Sequence, residues 1–277
     1  MPIDAECHEK KNVRPEISEN LESGFRSQKS RPLAADPWLP TPGDWPALHP
    51  YLAVKSVWEF MAATVLLVLA MPLMALTAVL VKLTSRGPVI YSQVRLGRFG
   101  KPYHIYKIRT MVHECETRSG ARWSTTRDPR VTLVGRFLRR AHLDELPQLW
   151  NVIRGDMSLI GPRPERPEFV PALQQAIPHY LDRLLVRPGV TGLAQVQLPA
   201  DTDLESVRRK LAYDLYYVRQ VSIWLDLRIL VCTAFKVLGV PFDVLRALFR
   251  MPSRFQVELA YRKLGVPAEI AAQMQMA

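Results

Sequence analysis

Between Phe60 and Val81 the chain runs for 22 residues without a charged side chain, and Pro72 falls near the middle of that run. A segment this apolar must be covered by protein or lipid, and in a single pass through lipid only a helix satisfies its own backbone polar groups. At 1.5 Å per residue the run makes roughly 33 Å of helix, close to the ~30 Å hydrocarbon thickness of a bilayer. Pro72 removes a backbone donor and clashes with the preceding turn, which favours a kink. Cations flank both ends, with Lys55 before the run and Lys82, Arg86, Arg95 and Arg98 after it. Basic flanks stay on the cytoplasmic side, so a helix that enters, bends at Pro72 and returns fits better than one that crosses. Each arm would hold about 10–12 residues, roughly 15–18 Å, and would reach mid-bilayer. A plain spanning helix with a tolerated proline is the alternative.

Charge narrows the partners. The 277 residues carry a net charge of +11, but residues 1–50 hold six Lys/Arg against eight Asp/Glu, so the rest carries about +13. A cationic body points to anionic partners: nucleic acid, lipid headgroups or phosphorylated substrates. No zinc finger, RNP-like block or basic helix array is present, which argues against nucleic acid. Cys7, Cys115 and Cys232 are scattered and form no CxxC, so neither a disulfide scaffold nor a thiolate zinc site is expected, and a reducing compartment fits. HExxH, a histidine cluster and a glycine-rich dinucleotide loop are all missing, which leaves zinc and nicotinamide chemistry without support. The N-terminus opens acidic and polar, so no cleavable signal peptide is expected.

Residues 1–50 contain eight of the 23 prolines and read as an extended or disordered lead-in. Beyond the apolar run, strands near Val89–Val94 and Tyr103–Ile108 flank a turn at Gly97–Pro102 and predict a β-hairpin. Residues 113–130 are a polar loop. Val134, Phe137 and Leu138 share a helical face within Val131–Arg140. A second helix should begin near Leu146 and run through Val152–Ile153, with Pro147 in its first turn. Arg187-Pro188-Gly189 opens a turn, and Val190–Val196 is a candidate short strand. Glu205–Arg219 places Val207, Leu211, Leu215 and Val218 on one face, which suits either a membrane-interface helix or one packed on the core. Ile223–Leu238 reads as a core or interfacial helix.

The chemistry concentrates in LRRAHLDELPQLWNVIRGDMSLIGPRP, residues 138–164. Asp144 and Glu145 stand side by side at a helix start, where acidic residues usually serve as caps. Their surroundings favour more than capping. Helix N-termini attract phosphate, and Arg139, Arg163, Lys107 and Arg109 could neutralise a diphosphate so that a carboxylate can approach it. A carboxylate attacking phosphorus gives an acyl phosphate, and its neighbour can hold Mg²⁺, which favours oxygen ligands together with substrate phosphates. His142 lies two residues before Asp144 and is read as a local structural residue. Asp156 is read as either a loop or capping residue or part of the site.

The blocks VIYSQVRLGRFGKPYHIYKIRTM, DPRVTLVGRFLRR, LDELPQLWNVIRGDMSLIGPRP and RPGVTGLAQV, preceded by the proline-broken apolar helix, resemble the bacterial sugar transferases called monotopic phosphoglycosyl transferases. The resemblance covers about residues 52–240 and keeps the family's order. It implies an α/β, membrane-associated fold: a re-entrant helix hairpin with a small cytoplasmic α/β catalytic domain and interfacial amphipathic helices. The corresponding organisation is a Pro-rich, disordered extension over 1–50, a re-entrant membrane helix over 51–83 broken at Pro72, a catalytic domain over 84–240 and a helical tail over 241–277. The resemblance implies transfer of a sugar-1-phosphate from a UDP-sugar to undecaprenyl phosphate, with UMP released, at the cytoplasmic face of the bacterial inner membrane. Such a step would initiate exopolysaccharide, O-antigen or glycan assembly. Asp144 matches the family's nucleophile and Glu145 its dyad partner, both linked to Mg²⁺. Lys107, Arg109, Arg139 and Arg163 match its phosphate-facing cations, and Gln93 and Arg95 belong to its QxRxG block. Implied partners are the two substrates and membrane lipids, without nucleic acid; a homodimer is left open.

Three departures stand out. The family's usual Ser-Pro break is Met71-Pro72, its Lys-Arg-x-x-Asp entry reads Lys55-Ser56-Val57-Trp58-Glu59, and the Trp of GxTGWAQV is Leu193, followed by QLPADTD in place of NGR. The last change weakens inference about the sugar. A membrane-anchored basic scaffold that binds anionic lipid is the competing reading, and it leaves the LDELPQL block unexplained.

Overall fold

The computed structural model describes residues 50–113, 115, 128–199 and 203–264, all within the compact unit Leu33–Ala277. The expectations for residues 1–49, for most of the 113–130 loop, for part of the QLPADTD segment and for the tail beyond 264 lie outside the described residues.

Helix α1 spans Tyr51–Thr84, 34 residues, and is the one described helix long and apolar enough to cross a membrane. Pro72 does not end α1: the helical run continues through it from Tyr51 to Thr84. A proline costs one intrahelical bond and steric relief from the preceding turn, which a helix can meet without leaving helical φ/ψ. Hydroxyls along α1 turn back onto carbonyls, Thr64 onto Phe60 at 2.8 Å and Thr84 onto Leu80 at 2.7 Å, which hides their polarity from lipid. Burial is confined to its two ends. Lys55, Glu59 and Ala63 are covered at one, Thr77 and Val81 at the other, and no residue between 64 and 76 is buried.

The predicted hairpin is present as β1 (Ile90–Leu96) and β2 (Pro102–Ile108), antiparallel with Tyr91 opposite Lys107, Gln93 opposite Ile105 and Arg95 opposite Tyr103. Helix α2 (Leu133–Arg140) starts at Thr132, whose hydroxyl accepts from the Gly135 amide at 2.9 Å. Gly135 is required there, because a Cβ would lie 2.0 Å from the Thr110 carbonyl. The apolar face expected for α2 is narrower than its spacing implies: Leu138 is buried, but Phe137 is 61 % exposed. Only the stripe that meets Val81 of α1 and Ile108 of β2 is covered.

A 3₁₀ turn, Leu143–Glu145, leads through Pro147 into α3 (Gln148–Ile153). Strands β3 (Ser158–Ile160) and β4 (Gly189–Thr191), with α4 (Val170–Ala176) in the connection between them, pair in parallel. The strand expected over Val190–Val196 ends at Thr191, and α5 (Leu193–Gln197) follows an extended Gly192. The change tracks composition, since β-branched Val190 and Thr191 give way to Leu, Ala and Gln, which favour helix. Helix α6 (Leu204–Gln220) opens on an Asp203–Ser206 capping box. Tyr213, Asp214 and Tyr217 are buried along with its apolar face, so α6 packs in the core and not at an interface. Helices α7 (Ile223–Val237), α8 (Phe242–Leu248) and α9 (Arg254–Arg262) complete the described chain.

A buried polar cluster fixes α1 to this body. The Lys55 ammonium lies 3.0 Å from Glu59 and 2.5 Å from Asp226 of α7, and donates to the Tyr217 hydroxyl at 3.1 Å. Tyr217 in turn donates to Asp226 at 2.7 Å, as Tyr51 does at 2.8 Å. Glu59 accepts from the Ser158 hydroxyl and from the Ile160 amide at 3.1 Å, and Arg187 donates to Ser56 at 3.2 Å. One lysine thus neutralises two carboxylates that are 2 % and 0 % exposed. Removing it leaves buried charge uncompensated, which costs about 3–5 kcal/mol. Lys55→Met is therefore expected to lower the thermal unfolding midpoint sharply in detergent solution, and Lys55→Met/Asp226→Leu should recover part of that loss. A single variant as stable as wild type would contradict this role.

Candidate active site

The hairpin supplies one wall. Directly opposed residues of an antiparallel pair project from the same face, so the register that sets Tyr91 against Lys107 also puts Gln93, Arg95 and Lys107 on one side. The Leu143–Glu145 turn supplies the floor. His142, with φ 56°, sits in the left-handed region and reverses the chain after α2, while Leu143 packs against the Val81, Ile108 and Leu138 cluster. This anchoring aims Asp144 and Glu145 at β2. His142 also lines the cleft.

Glu145 is the hub. Its Oε1 accepts from the Lys107 ammonium at 2.7 Å and from the Arg163 guanidinium at 3.2 Å. Oε2 takes part in neither bond. Burial pushes the Glu145 carboxyl up, but Arg163 and Lys107 outweigh it and hold it well below the ordinary carboxylate range. Asp144, 8 % exposed, moves the other way. Burial raises it, the Glu145 charge raises it further, and Lys107 and Arg139 only partly oppose them. Adjacent carboxylates with opposite shifts are a pattern of working sites. Burial also lowers Lys107, against the pull of Glu145.

All eight expected site residues (Gln93, Arg95, Lys107, Arg109, Arg139, Asp144, Glu145 and Arg163) line one cleft of about 1270 Å³. Their bonds divide them. Lys107 and Arg163 engage Glu145 directly. Arg139 donates to the Thr110 hydroxyl at 2.8 Å. Arg95 donates to the Pro164 carbonyl at 3.0 Å and to Gln93 at 2.7 Å, so this pair ties the loop carrying Arg163 to β1. Arg109 donates to the carbonyl and hydroxyl of Ser85 at 3.0 and 2.8 Å, capping the C-terminal end of α1. Asp156 lies 3.4 Å from both Asn151 and Arg154, a loop role.

Other contributors gave little sequence signal. Arg183 donates to the Arg163 carbonyl at 2.9 Å and pairs with Asp214 at 2.7 Å, so it holds the Arg163 loop from behind. Asp214 amid the apolar face of α6 was its only trace. Asn151, fully buried, bonds the Tyr106 amide and the His104 carbonyl at 3.1 and 2.7 Å and fixes α3 against β2. Lys210 and Lys236 also line the cleft.

Residues 50–240 match the family described as bacterial sugar transferase. The chain belongs to that family. A UDP-N-acetylgalactosamine-undecaprenyl-phosphate N-acetylgalactosaminephosphotransferase of Aeromonas hydrophila is 44 % identical over 179 residues, 65 % of this chain and 42 % of that protein. A UDP-glucose:undecaprenyl-phosphate glucose-1-phosphate transferase of Caulobacter vibrioides is 45 % identical over 181 residues, 65 % of this chain and 67 % of its own length. An exopolysaccharide production protein of Rhizobium leguminosarum is 41 % identical over 185 residues, 65 % of this chain and 92 % of its own. Several relatives are much longer, and the match spans about two fifths of their length. The two named sugars differ between relatives, so family membership alone leaves the sugar open.

In this sugar transferase fold Asp144 and Glu145 offer neighbouring oxygen donors, and no group of three or more His, Cys, Asp or Glu side chains joins them among the described residues. That set fits a hard cation that completes its shell with water and phosphate oxygens. The Glu145 shift also sets a pH dependence. A carboxyl lowered from 4.5 contributes stability above its unfolded pKa and loses it as pH falls toward the folded one. Denaturant unfolding of wild type and Glu145→Gln should differ most near neutral pH, by about 1–3 kcal/mol, and converge as pH drops below about 4.5. A gap that is constant across pH would refute this assignment of charge.

Proposed function

We propose that this chain transfers a sugar-1-phosphate from a UDP-sugar to undecaprenyl phosphate through an aspartyl-phosphosugar intermediate. The observation that carries the reading is a buried Asp144, with its carboxyl raised, beside a Glu145 whose Oε1 is held by Lys107 and Arg163. Raised basicity makes the attacking oxygen more nucleophilic, while the excess of Lys and Arg over Asp and Glu along the cleft leaves it able to accept a diphosphate. In the first step an Asp144 carboxylate oxygen attacks the β-phosphorus, the phosphoanhydride bond between the two phosphates breaks, and UMP leaves with the bonding electrons. In the second, a phosphate oxygen of the polyprenyl phosphate attacks the same phosphorus. The acyl–phosphate bond breaks, Asp144 regains its carboxylate, and a polyprenyl diphospho-sugar departs. Mg²⁺ held by Asp144 and the free Oε2 of Glu145 would neutralise charge on the transferring phosphates. Arg163 and Lys107 keep Glu145 ionised and fixed, and Arg139 adds positive charge to the cleft.

The proposed membrane arrangement rests on α1. Both of its ends rest on one body, Lys55 and Glu59 on α7 and β3, Val81 on β2 and α2. A helix that crossed would carry those ends to opposite faces of the bilayer. A re-entrant course, with a bend inside the helical run near Pro72, would keep both contacts and would put the catalytic body at the cytoplasmic face of the inner membrane. Helix α7 extends that surface as an interfacial helix. Trp224, Leu227, Val231, Phe235 and Leu238 are exposed at helical spacing, while Asp226 on its other side holds Tyr51 and Lys55. Here this transfer would start assembly of exopolysaccharide, O-antigen or another glycan, in line with the Rhizobium relative's name as an exopolysaccharide production protein.

Purified protein given radiolabelled UDP-sugars, with and without undecaprenyl phosphate, tests the reaction. Wild type should release UMP, and Asp144→Asn should reduce that release by at least about a thousandfold. A basic lipid-binding scaffold, the rival reading, would release none from any UDP-sugar in either form.

A further inference from the structure

One side of the Asp144 cleft adjoins the cations at Glu145 without contributing to the chemistry described so far. Strand β4 runs beside the Arg163 loop: the Gly161 amide donates to the Thr191 carbonyl at 2.9 Å and the Gly189 amide to the Pro162 carbonyl at 2.8 Å. The approach is so close that a Cβ on Gly189 would lie 2.1 Å from the Gly161 nitrogen. Arg163, the next residue along that loop, donates to Glu145. From there β4, α5 and the end of α7 continue the wall, lining the cleft with Val190, Val196, Leu198, Pro199 and Val237. The polar side chains between them are engaged with the protein itself. Thr191 donates to the Thr233 hydroxyl at 2.8 Å, and Thr233 to the Ile229 carbonyl at 2.8 Å. Lys236 donates to the Gln195 and Val196 carbonyls at 2.9 and 3.0 Å. Gln195 donates to the Val190 carbonyl at 3.1 Å, and its Oε1 is buried. What this wall offers a ligand is therefore mainly apolar surface.

We propose that this wall faces the donor sugar and selects one with an apolar substituent, an N-acetylated or 6-deoxy hexose in preference to a plain hexose. The inference rests on the phosphoglycosyl transferase reading of the site and deepens it. The sugar hangs on the same phosphate that Asp144 attacks, whereas the uridine is one phosphate further away. The wall that starts at the Arg163 loop is therefore the one the sugar meets. A hydroxyl pressed against it gives up water and finds the neighbouring polar groups already bonded. A methyl in the same place gives up nothing and buries apolar area. Leu198 and Pro199 belong to the stretch in which this chain departs from the family's NGR, so the wall is built in part from residues of its own. Sugar choice, which family membership leaves open, is thus assigned to a named surface.

Rates of UMP release by the full chain in detergent micelles, with undecaprenyl phosphate and a panel of UDP-sugars, test this. The panel holds UDP-N-acetylglucosamine, UDP-N-acetylgalactosamine, a UDP-6-deoxyhexose, UDP-glucose, UDP-galactose and UDP-glucuronic acid. The best N-acetylated or 6-deoxy donor should exceed both plain hexoses by at least about tenfold in kcat/KM. Leu198→Ser and Val237→Ser should each narrow that ratio by about threefold or more, through the KM of the favoured donor, with the acceptor KM within about twofold of wild type. A plain hexose used as well as that donor would overturn the proposal. So would a best rate on UDP-glucuronic acid, which the Lys210 and Lys236 charges would attract if they governed this wall, and so would variants that slow every donor equally. Wild-type protein that releases no UMP from any donor would instead refute the functional reading beneath it.

Discussion

A single carboxylate oxygen, Oε1 of Glu145, binds two cations from two separate parts of the chain. Lys107 comes from the hairpin and Arg163 from the loop after β3. Everything else in the site depends on that junction. It closes the cleft by joining strand, catalytic turn and loop. It also absorbs the positive charge that would otherwise pull Asp144 down into the ordinary aspartate range, so burial and the Glu145 charge set the basicity of its neighbour. The Lys107 bond, 2.7 Å and partly buried, is the stronger of the two, since charge-assisted bonds strengthen away from water. The supports behind the junction are likewise polar: Arg95 and Arg183 grip the backbone of the Arg163 loop from two sides.

Attachment to the membrane uses the same device on a larger scale. Two contacts hold α1, one a buried polar cluster around Lys55 and the other an apolar one around Val81. The second also packs Leu143, the residue before the Asp144–Glu145 pair, and Arg109, just past the strand that carries Lys107, caps the end of α1. The C-terminal end of α1 and the Leu143–Glu145 turn therefore share one small core.

Much of this was legible in the sequence, and the reasons differ by element. The hairpin showed itself through alternation bounded by glycine and proline, and the catalytic turn through an acidic pair ahead of a proline-started helix. The eight site residues came from motif blocks, and all eight line one cleft. Other features were invisible because they depend on long-range pairing. Lys55 read as a flanking cation, yet it is buried against Asp226, 171 residues away. Spacing in α6 fitted an interfacial helix as well as a core helix, because periodicity reports a face without saying what covers it. Burial of Tyr213 and Tyr217 decided for the core. Pro72 signalled a bend, but the helical backbone carries through it. Arg109 matched a phosphate-facing cation by position, and its hydrogen bonds run to Ser85 at the end of α1.

The account stands on covalent capture of phosphosugar by one aspartate. Incubation with a turned-over UDP-sugar in the absence of lipid acceptor, followed by rapid quenching and peptide mass spectrometry, examines that directly. The mass of one phosphosugar should appear on the peptide containing Asp144 and vanish when undecaprenyl phosphate is added before the quench. An adduct on any other side chain, or unmodified protein while UMP continues to form, would contradict it.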